Sequence, residues 1–430
     1  MADSSGSDPG VEAPAVRWPR RLILDLTPLR DSRDFRLVQL GTFLTGLGTQ
    51  AALVALPYQV YVVTRSPFLT GLLGAVELVP LVAFSLYGGA IADRIDRRRL
   101  LLGTQVALVG VSAGLAAGAF AHTRQVWLLY VLAGLLAGFG AFESVARSAI
   151  VPNVVRPDQL RAALAFNFGQ LQLQSVVGPA VGGLLIAGFG IGAAYVVDAV
   201  TCGAMVVAAA AMGPQRPPPA AGAHPAMLRS IAEGLGFVRR EQALVGSFAI
   251  DLVAMTFGMP RALFPVLALS VYHAGATGTG FLFAAVAAGA TVAALTAGWL
   301  EHARRLGRIV IVAVVVWGAA IAAAGLFSSI YPALALFALA GAADSVSAVC
   351  RTTINQTVTP DALRGRMSSV FMLVVRSGPR LGDLEAGAVA SLATPQFSVV
   401  SGGLACIGGV AAILLAFPAL AAYDAASPQR

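Results

Sequence analysis

Runs of apolar residues about 20 long, separated by short polar clusters, follow one another along almost the whole chain. A helix rises about 1.5 Å per residue and the hydrocarbon core of a bilayer is about 30 Å thick, so each run can cross once as a helix. About twelve such runs are read, beginning near Leu37, Leu69, Leu100, Val126, Leu160, Gly192, Ala243, Gly278, Ile309, Pro332, Leu363 and Phe397, and they are numbered here as spans 1 to 12. The regular succession breaks once, at the proline-rich stretch from Pro214 to Pro225, where consecutive prolines cannot continue a helix. The predicted organisation is a tail and lead-in over 1–36, a six-helix bundle over 37–212, a linker over 213–240, a second six-helix bundle over 241–423 and a tail over 424–430.

Composition agrees with this pattern. At 57% hydrophobic and 12% charged, the chain has too few charges to coat a soluble globule of 430 residues. The net charge of +8 comes from arginine alone, since no lysine is present. Only Arg65 and Arg124 fall in loops on one side of an alternating topology, whereas Arg36, Arg94, Arg97, Arg98, Arg99, Arg239, Arg304, Arg305, Arg308 and Arg364 fall on the other. That asymmetry predicts that both termini face the cytoplasm and makes the basic charge a mark of orientation, not of a nucleic-acid partner. Cys202, Cys350 and Cys406 sit far apart in apolar segments and are read as packing residues; no metal site is expected. The first 20 residues lack an apolar core, so no cleavable signal is expected.

The two halves echo each other. Pro157, Asp158 and Leu160 recur as Pro360, Asp361 and Leu363, and Gly178-Pro179 as Gly378-Pro379, about 200 residues apart. The inferred architecture is two parallel six-helix bundles related by an internal repeat. The acids at these helix starts complement the helix dipole and need no further role.

Between spans 2 and 3, Gly89, Asp93, Arg94, Asp96, Arg97, Arg98, Arg99 and Leu100 are placed too regularly for a simple solvated loop. The arrangement resembles the signature loop between helices 2 and 3 of major facilitator superfamily transporters. Further stretches resemble the branch of that superfamily that contains enterobactin and macrolide exporters: Leu22 to Arg30 with Asp34, Phe35 and Arg36; Arg147 to Asn153; Gly178 to Gly183; Arg261 to Ala268; and Gly365 to Met367. Asp96 stands where the general signature has glycine, and the enterobactin exporters share an acid there. The resemblance implies an all-α membrane protein of about twelve helices, a proton-coupled exporter of the drug antiporter type working by alternating access, in a bacterial cytoplasmic membrane and as a monomer. It also implies that Asp93 faces the start of span 11, and that Arg97 bonds an acid near the cytoplasmic end of span 4, for which Glu143 is the candidate. The glycines and proline of span 5 resemble an antiporter motif, although close helix packing explains them equally.

Charges inside apolar spans narrow the search, because one at the bilayer centre costs about 2.5–3.5 kcal/mol on insertion scales. Glu143 and Arg147, four residues apart, can pair along one helix face, as a structural pair or as part of a gate. In the superfamily, helices 1, 4, 7 and 10 line the central cavity, which makes Asp251 and Asp344 the acids placed to meet substrate and proton. Neither has an arginine three or four residues away, and a carboxyl without a cationic partner in a low-dielectric cavity can load and release protons near neutral pH. Glu77 is a third candidate on the same ground. Arg376, Arg380 and Asp383 share a face of span 11; if Arg380 and Asp383 neutralise each other, Arg376 and Arg261 give the cavity a positive potential suited to an anionic or catecholate solute. The alternative for Arg376 is a pair with Asp344 or Glu385. Asn167, Gln170 and Gln174 form a polar stripe on span 5, with Gln50 and Gln59 on span 1, able to bind substrate or to join helices.

Without lysine there is no phosphate-binding loop of the Gly-x-x-x-x-Gly-Lys type, and the four histidines are scattered, so neither ATP hydrolysis nor a catalytic cluster is expected. No cofactor is expected; the energy source is a proton gradient, and the partners are protons, a small solute and the bilayer. Three readings stand: an exporter of siderophore-like or amphipathic solutes, a multidrug or macrolide pump of the same fold, and a sensor or lipid-binding membrane protein without turnover. Asp93→Asn is expected to impair transport at unchanged expression; wild-type transport rates in that variant would refute a gating role for Asp93.

Overall fold

The structure is a computed structural model and describes residues 25–92, 94–216, 233, 236–239, 241–360 and 363–423. Asp93, Asp361, the tail over 424–430 and most of the 213–240 linker therefore lie outside the described residues. Among the described residues, eleven helical segments are long and apolar enough to cross a membrane. Spans 1 to 6 are Arg33–Thr64, Pro67–Ala92, Arg97–Phe120, Val126–Val154, Leu160–Phe189 and Ile191–Ala211. Spans 8, 9, 10 and 12 are Gly275–Leu295, Leu306–Ala324, Ile330–Val358 and Pro395–Ala416. Span 11, Arg364–Leu392, is as long as its neighbours but too rich in charge to qualify on composition. No strand occurs among the described residues.

Span 7 differs from the continuous run expected. It consists of Gln242–Phe257, a 3-10 turn at Arg261–Leu263, and a short helix at Phe264–Ser270. Pro260 and Pro265 bracket the turn, and a proline lacks the N–H that would continue the ladder. Arg261 thus sits at a break, not on a regular helix face.

Helix starts follow local chemistry. Asp96 caps span 3 by accepting the Arg98 N–H at 2.9 Å, Ser32 caps span 1 through the Phe35 N–H at 3.1 Å, and Thr394 caps span 12 through the Phe397 N–H at 3.1 Å. Asp96 also accepts the Gln215 N–H at 3.1 Å, which ties the start of span 3 to the segment leaving span 6.

The packing repeats between the halves. Span 1 packs on 5 and 6, 2 on 4, and 3 on 4 and 6; in the second half 7 packs on 11 and 12, 8 on 10, and 9 on 10 and 12. The halves meet chiefly through two equivalent crossings, 2 with 11 and 5 with 8. Glycines permit both. A Cβ on Gly183 would lie 2.7 Å from the Ala276 carbonyl and 2.9 Å from the Gly280 Cα, and one on Gly387 would lie 2.7 Å from the Pro67 carbonyl and 2.9 Å from the Gly71 Cα. Such small-residue faces let backbones approach without a hydrophobic drive between helices. All of these contacts lie toward the end of the bundle that carries the loops at Arg65, Gly190 and His273. Gly89 contrasts with them, since a Cβ there would meet nothing within 4 Å.

Gly183→Val should force the 5 and 8 crossing apart at a cost of about 1–3 kcal/mol. The expected readout is faster alkylation, from the Arg65 side, of a cysteine introduced at Leu53; unchanged labelling would show that this crossing does not close that end.

Candidate functional site

Between the halves lies a cavity of ≈ 370 Å³, within the range of roughly 300–1,000 Å³ common for small-molecule sites. The first half forms most of its wall and span 11 closes it, with Arg376 and Arg380 as the second half's contribution. Thr45, Thr49 and Gln50 from span 1, Glu77 from span 2, Gln105 from span 3, Glu143, Ser144 and Arg147 from span 4 and Gln174 from span 5 are polar groups of the wall. Leu53, Leu56, Leu81, Leu108, Leu136 and Leu171 supply its apolar part.

The cationic wall is held across the seam. Arg380 pairs with Glu77 at 3.3 Å, and Arg376 donates to the Ser85 hydroxyl at 3.1 Å, so both arginines of the second half reach span 2 of the first. Arg380 and Asp383 therefore do not neutralise each other as expected. Asp383 instead accepts the Ala262 N–H at 2.8 Å and so satisfies a donor freed by the break in span 7. Arg376 pairs with neither Asp344 nor Glu385. Arg261 lies 5.6 Å above the Phe283 ring, a cation–π distance, and does not line the cavity. Glu77, expected without a partner, has one because the arginine comes from the other half of the sequence.

Asp251 and Asp344 are also not unpaired. Arg351, seven residues after Asp344 on span 10, forms an ion pair with Asp251 of span 7 and contacts Asp344 at 3.5 Å. Seven residues are about two helical turns, so Asp344 and Arg351 share a face that a search at three and four residues passes over. The cluster is interior, with Asp251 1% and Arg351 3% exposed, and it is not in the cavity wall. Asp344 borders a crevice of ≈ 10 Å³ with Phe264, Trp317 and Phe337, room for about one water.

In the cavity wall, Glu143 and Arg147 pair at 3.5 Å along span 4, as their spacing predicts. Arg97 does not reach Glu143: it donates to the Ala149 carbonyl at 2.7 Å, because Glu143 lies almost two turns deeper and is already engaged. Arg98 donates to the Ala209 and Ala210 carbonyls, at 2.8 and 2.6 Å, at the end of span 6, where cations complement the helix dipole. Arg94 is exposed. The loop thus clasps spans 3, 4 and 6 within the first half.

The span 5 stripe divides. Gln170 donates to the Gln39 carbonyl and Gln174 to the Thr42 carbonyl, each at 2.9 Å, joining span 5 to span 1, while Asn167 lies outside the cavity wall. Gln59 accepts the Tyr195 hydroxyl at 2.8 Å. The three cysteines are free and buried. Among the described residues no group of three metal-ligating side chains occurs.

One residue of the cavity wall was not anticipated from the sequence, and one acid visible there, Asp198 of span 6, had no role assigned. Gln105 lines the cavity, is 1% exposed and has no protein partner for either amide atom, although a lone amide in an apolar run was visible. Asp198 is fully buried behind the wall and accepts from Ser112 at 2.6 Å and Thr49 at 3.3 Å; its donors come from two other spans, which no local spacing reveals.

Residues 24–430 match the family described as transmembrane secretion effector. The chain belongs to this family of major facilitator transporters. It is 30% identical over 398 residues to the enterobactin exporter EntS of Citrobacter koseri, covering 91% of this chain and 94% of that protein. Against EntS of Shigella boydii it is 29% identical over 410 residues, covering 95% and 97%. Among solved structures, a variant of the nucleoside transporter NupG superposes with a TM-score of 0.74 at 11% identity, covering 90% of this chain and 99% of that one. A peptide transporter POT variant bound to alafosfalin gives 0.71 at 12%, covering 92% and 96%. At such identities the two structures establish the fold alone. The chain is accordingly a multi-pass membrane transporter and, like its relatives, not an enzyme.

Because Glu77 and Arg380 contact directly, they should be energetically coupled. In a double-mutant cycle of Glu77→Gln and Arg380→Gln, followed by thermal unfolding in detergent, the double variant should lose less stability than the two singles together, by about 0.5–3 kcal/mol. Additive losses would show that the pair does not hold the halves.

Proposed function

We propose that this chain is a proton-driven exporter, in a bacterial cytoplasmic membrane, of small anionic or catechol-bearing solutes of the siderophore kind, working by alternating access. The observation that carries the reading is the charge balance around the cavity. Arg147, Arg376 and Arg380 stand against Glu77 and Glu143 in its wall, so the wall carries one cation in excess, and Arg376, whose one partner among the described residues is a neutral hydroxyl, faces the cavity. A guanidinium presents a planar fork that suits carboxylate or catecholate oxygens. Gln105, Thr45 and Gln50 offer further hydrogen bonds, and the leucines of the wall accept an aromatic body. The relatives named as enterobactin exporters support the same class of cargo.

The Asp251, Arg351 and Asp344 cluster is the favoured proton carrier. Two carboxyls share one guanidinium in the interior, and neutrality there requires one proton. Glu77 is tied to Arg380 and serves the closed seam; releasing that pair as span 11 moves is how the halves would part. Asp198, surrounded by hydroxyl donors, is the next candidate. A multidrug or macrolide role is the second reading, and the six leucines of the wall favour it.

The test is transport in proteoliposomes under an imposed pH gradient, with a catecholate siderophore as cargo. The wild type should exchange cargo for protons. Arg376→Gln should raise KM about tenfold, the equivalent of about 1.4 kcal/mol of lost binding. Asp344→Asn should abolish proton-driven transport and spare downhill exchange. No cargo-dependent proton flux would overturn the transport mechanism, whereas a neutral Arg376→Gln with broad drug transport would favour the second reading.

A further inference from the structure

We propose that the outer face of spans 9 and 10 binds an anionic phospholipid at a built site, headgroup on Arg305 and Arg308 and one acyl chain in the groove beneath them. A groove of ≈ 530 Å³ runs between the two helices, away from the transport cavity. Val312 and Val316 form one side, Leu339 and Val346 the other, and Ala342 and Ala343 leave the space between them. Its two polar residues lie at one end. Arg305 caps the start of span 9 and Arg308 follows three residues later on the same face. Both are exposed, and neither guanidinium group has a hydrogen bond or an ion pair among the described residues.

Charge complementarity selects the occupant. Two free guanidinium groups at a helix N-terminus, where N–H groups and the dipole add positive potential, form a site for a phosphate group. Trp299, 54% exposed at the same end, carries the amphipathic ring that settles at headgroup depth. Length agrees as well. Arg305 to Val316 covers about 16 Å of helix, close to one leaflet of a hydrocarbon core about 30 Å thick, so a chain anchored at the arginines would fill the groove to the midplane. A neutral lipid could fill the groove but would leave both arginines unneutralised; an anionic one satisfies both ends.

The test uses quenching of Trp299 in the full chain, reconstituted in nanodiscs, with Trp18→Phe and Trp127→Phe introduced to remove two other indoles. Trp317, 1% exposed, contributes a constant background. Phosphatidylglycerol with brominated acyl chains should quench at a mole fraction at least fivefold lower than brominated phosphatidylcholine. Arg305→Gln with Arg308→Gln, both at exposed positions that leave the fold intact, should erase that preference while the far-ultraviolet spectrum is unchanged. Equal quenching by the two lipids, or a preference that survives the double variant, would overturn the proposal. So would quenching by neither lipid, the result expected if a second copy of the chain covered the groove.

Discussion

The cost of placing charge in hydrocarbon organises the interior of this chain. A charge at the bilayer centre is tolerated only when another group offsets it, and each ionic group followed here obtains its partner from a different place. Glu143 finds Arg147 one turn along its own helix; Asp344 finds Arg351 two turns along; Asp251 finds the same arginine across a helix interface; Glu77 finds Arg380 across the seam between the halves. The longer the sequence separation of a pair, the more of the tertiary structure it depends on. Only the last of these can be broken by moving one half against the other as a rigid body.

The same distances decide what could be read from the sequence. Hydrophobic periodicity located the spans to within a few residues, since it reports each helix against lipid and needs no tertiary information. The internal repeat was legible too, because Gly178 and Gly378 keep their identity for one physical reason: each lets its helix close on a neighbour, a Cβ on Gly178 meeting Gln50 Cβ at 2.5 Å and one on Gly378 meeting Met255 Cβ at 2.8 Å. The Glu143 and Arg147 pair was predictable from helical spacing. Partners for Glu77, Asp251 and Asp383 were not, since they come from other spans. The expectation that the family resemblance gave for Arg97 fails in another way: an acid was available on span 4, but a backbone carbonyl nearer the helix end takes the guanidinium.

Span 11 joins these observations. Its small residues permit the close crossing with span 2, its charges make it too polar to be recognised as a span on composition, and its Asp383 satisfies the broken backbone of span 7. A helix that only separated lipid from protein would gain nothing from four ionisable groups between Arg376 and Glu385. They are tolerated because this helix faces the cavity on one side and the seam on the other, so its arginines bond Glu77 and Ser85. Any displacement of span 11 that opens the seam must therefore strip Arg380 from Glu77 and Arg376 from Ser85 together, leaving two cations and an acid to be satisfied by water, a proton or a bound anion. An anionic solute in the cavity would stabilise that separated arrangement by replacing the lost partners, and it would do so without any contact with Asp251 or Asp344. Cargo and proton would then act on different elements, the cargo on the 2 and 11 crossing and the proton on the 7 and 10 interface. Asp383 holds span 11 to the break in span 7 and so connects the two elements structurally.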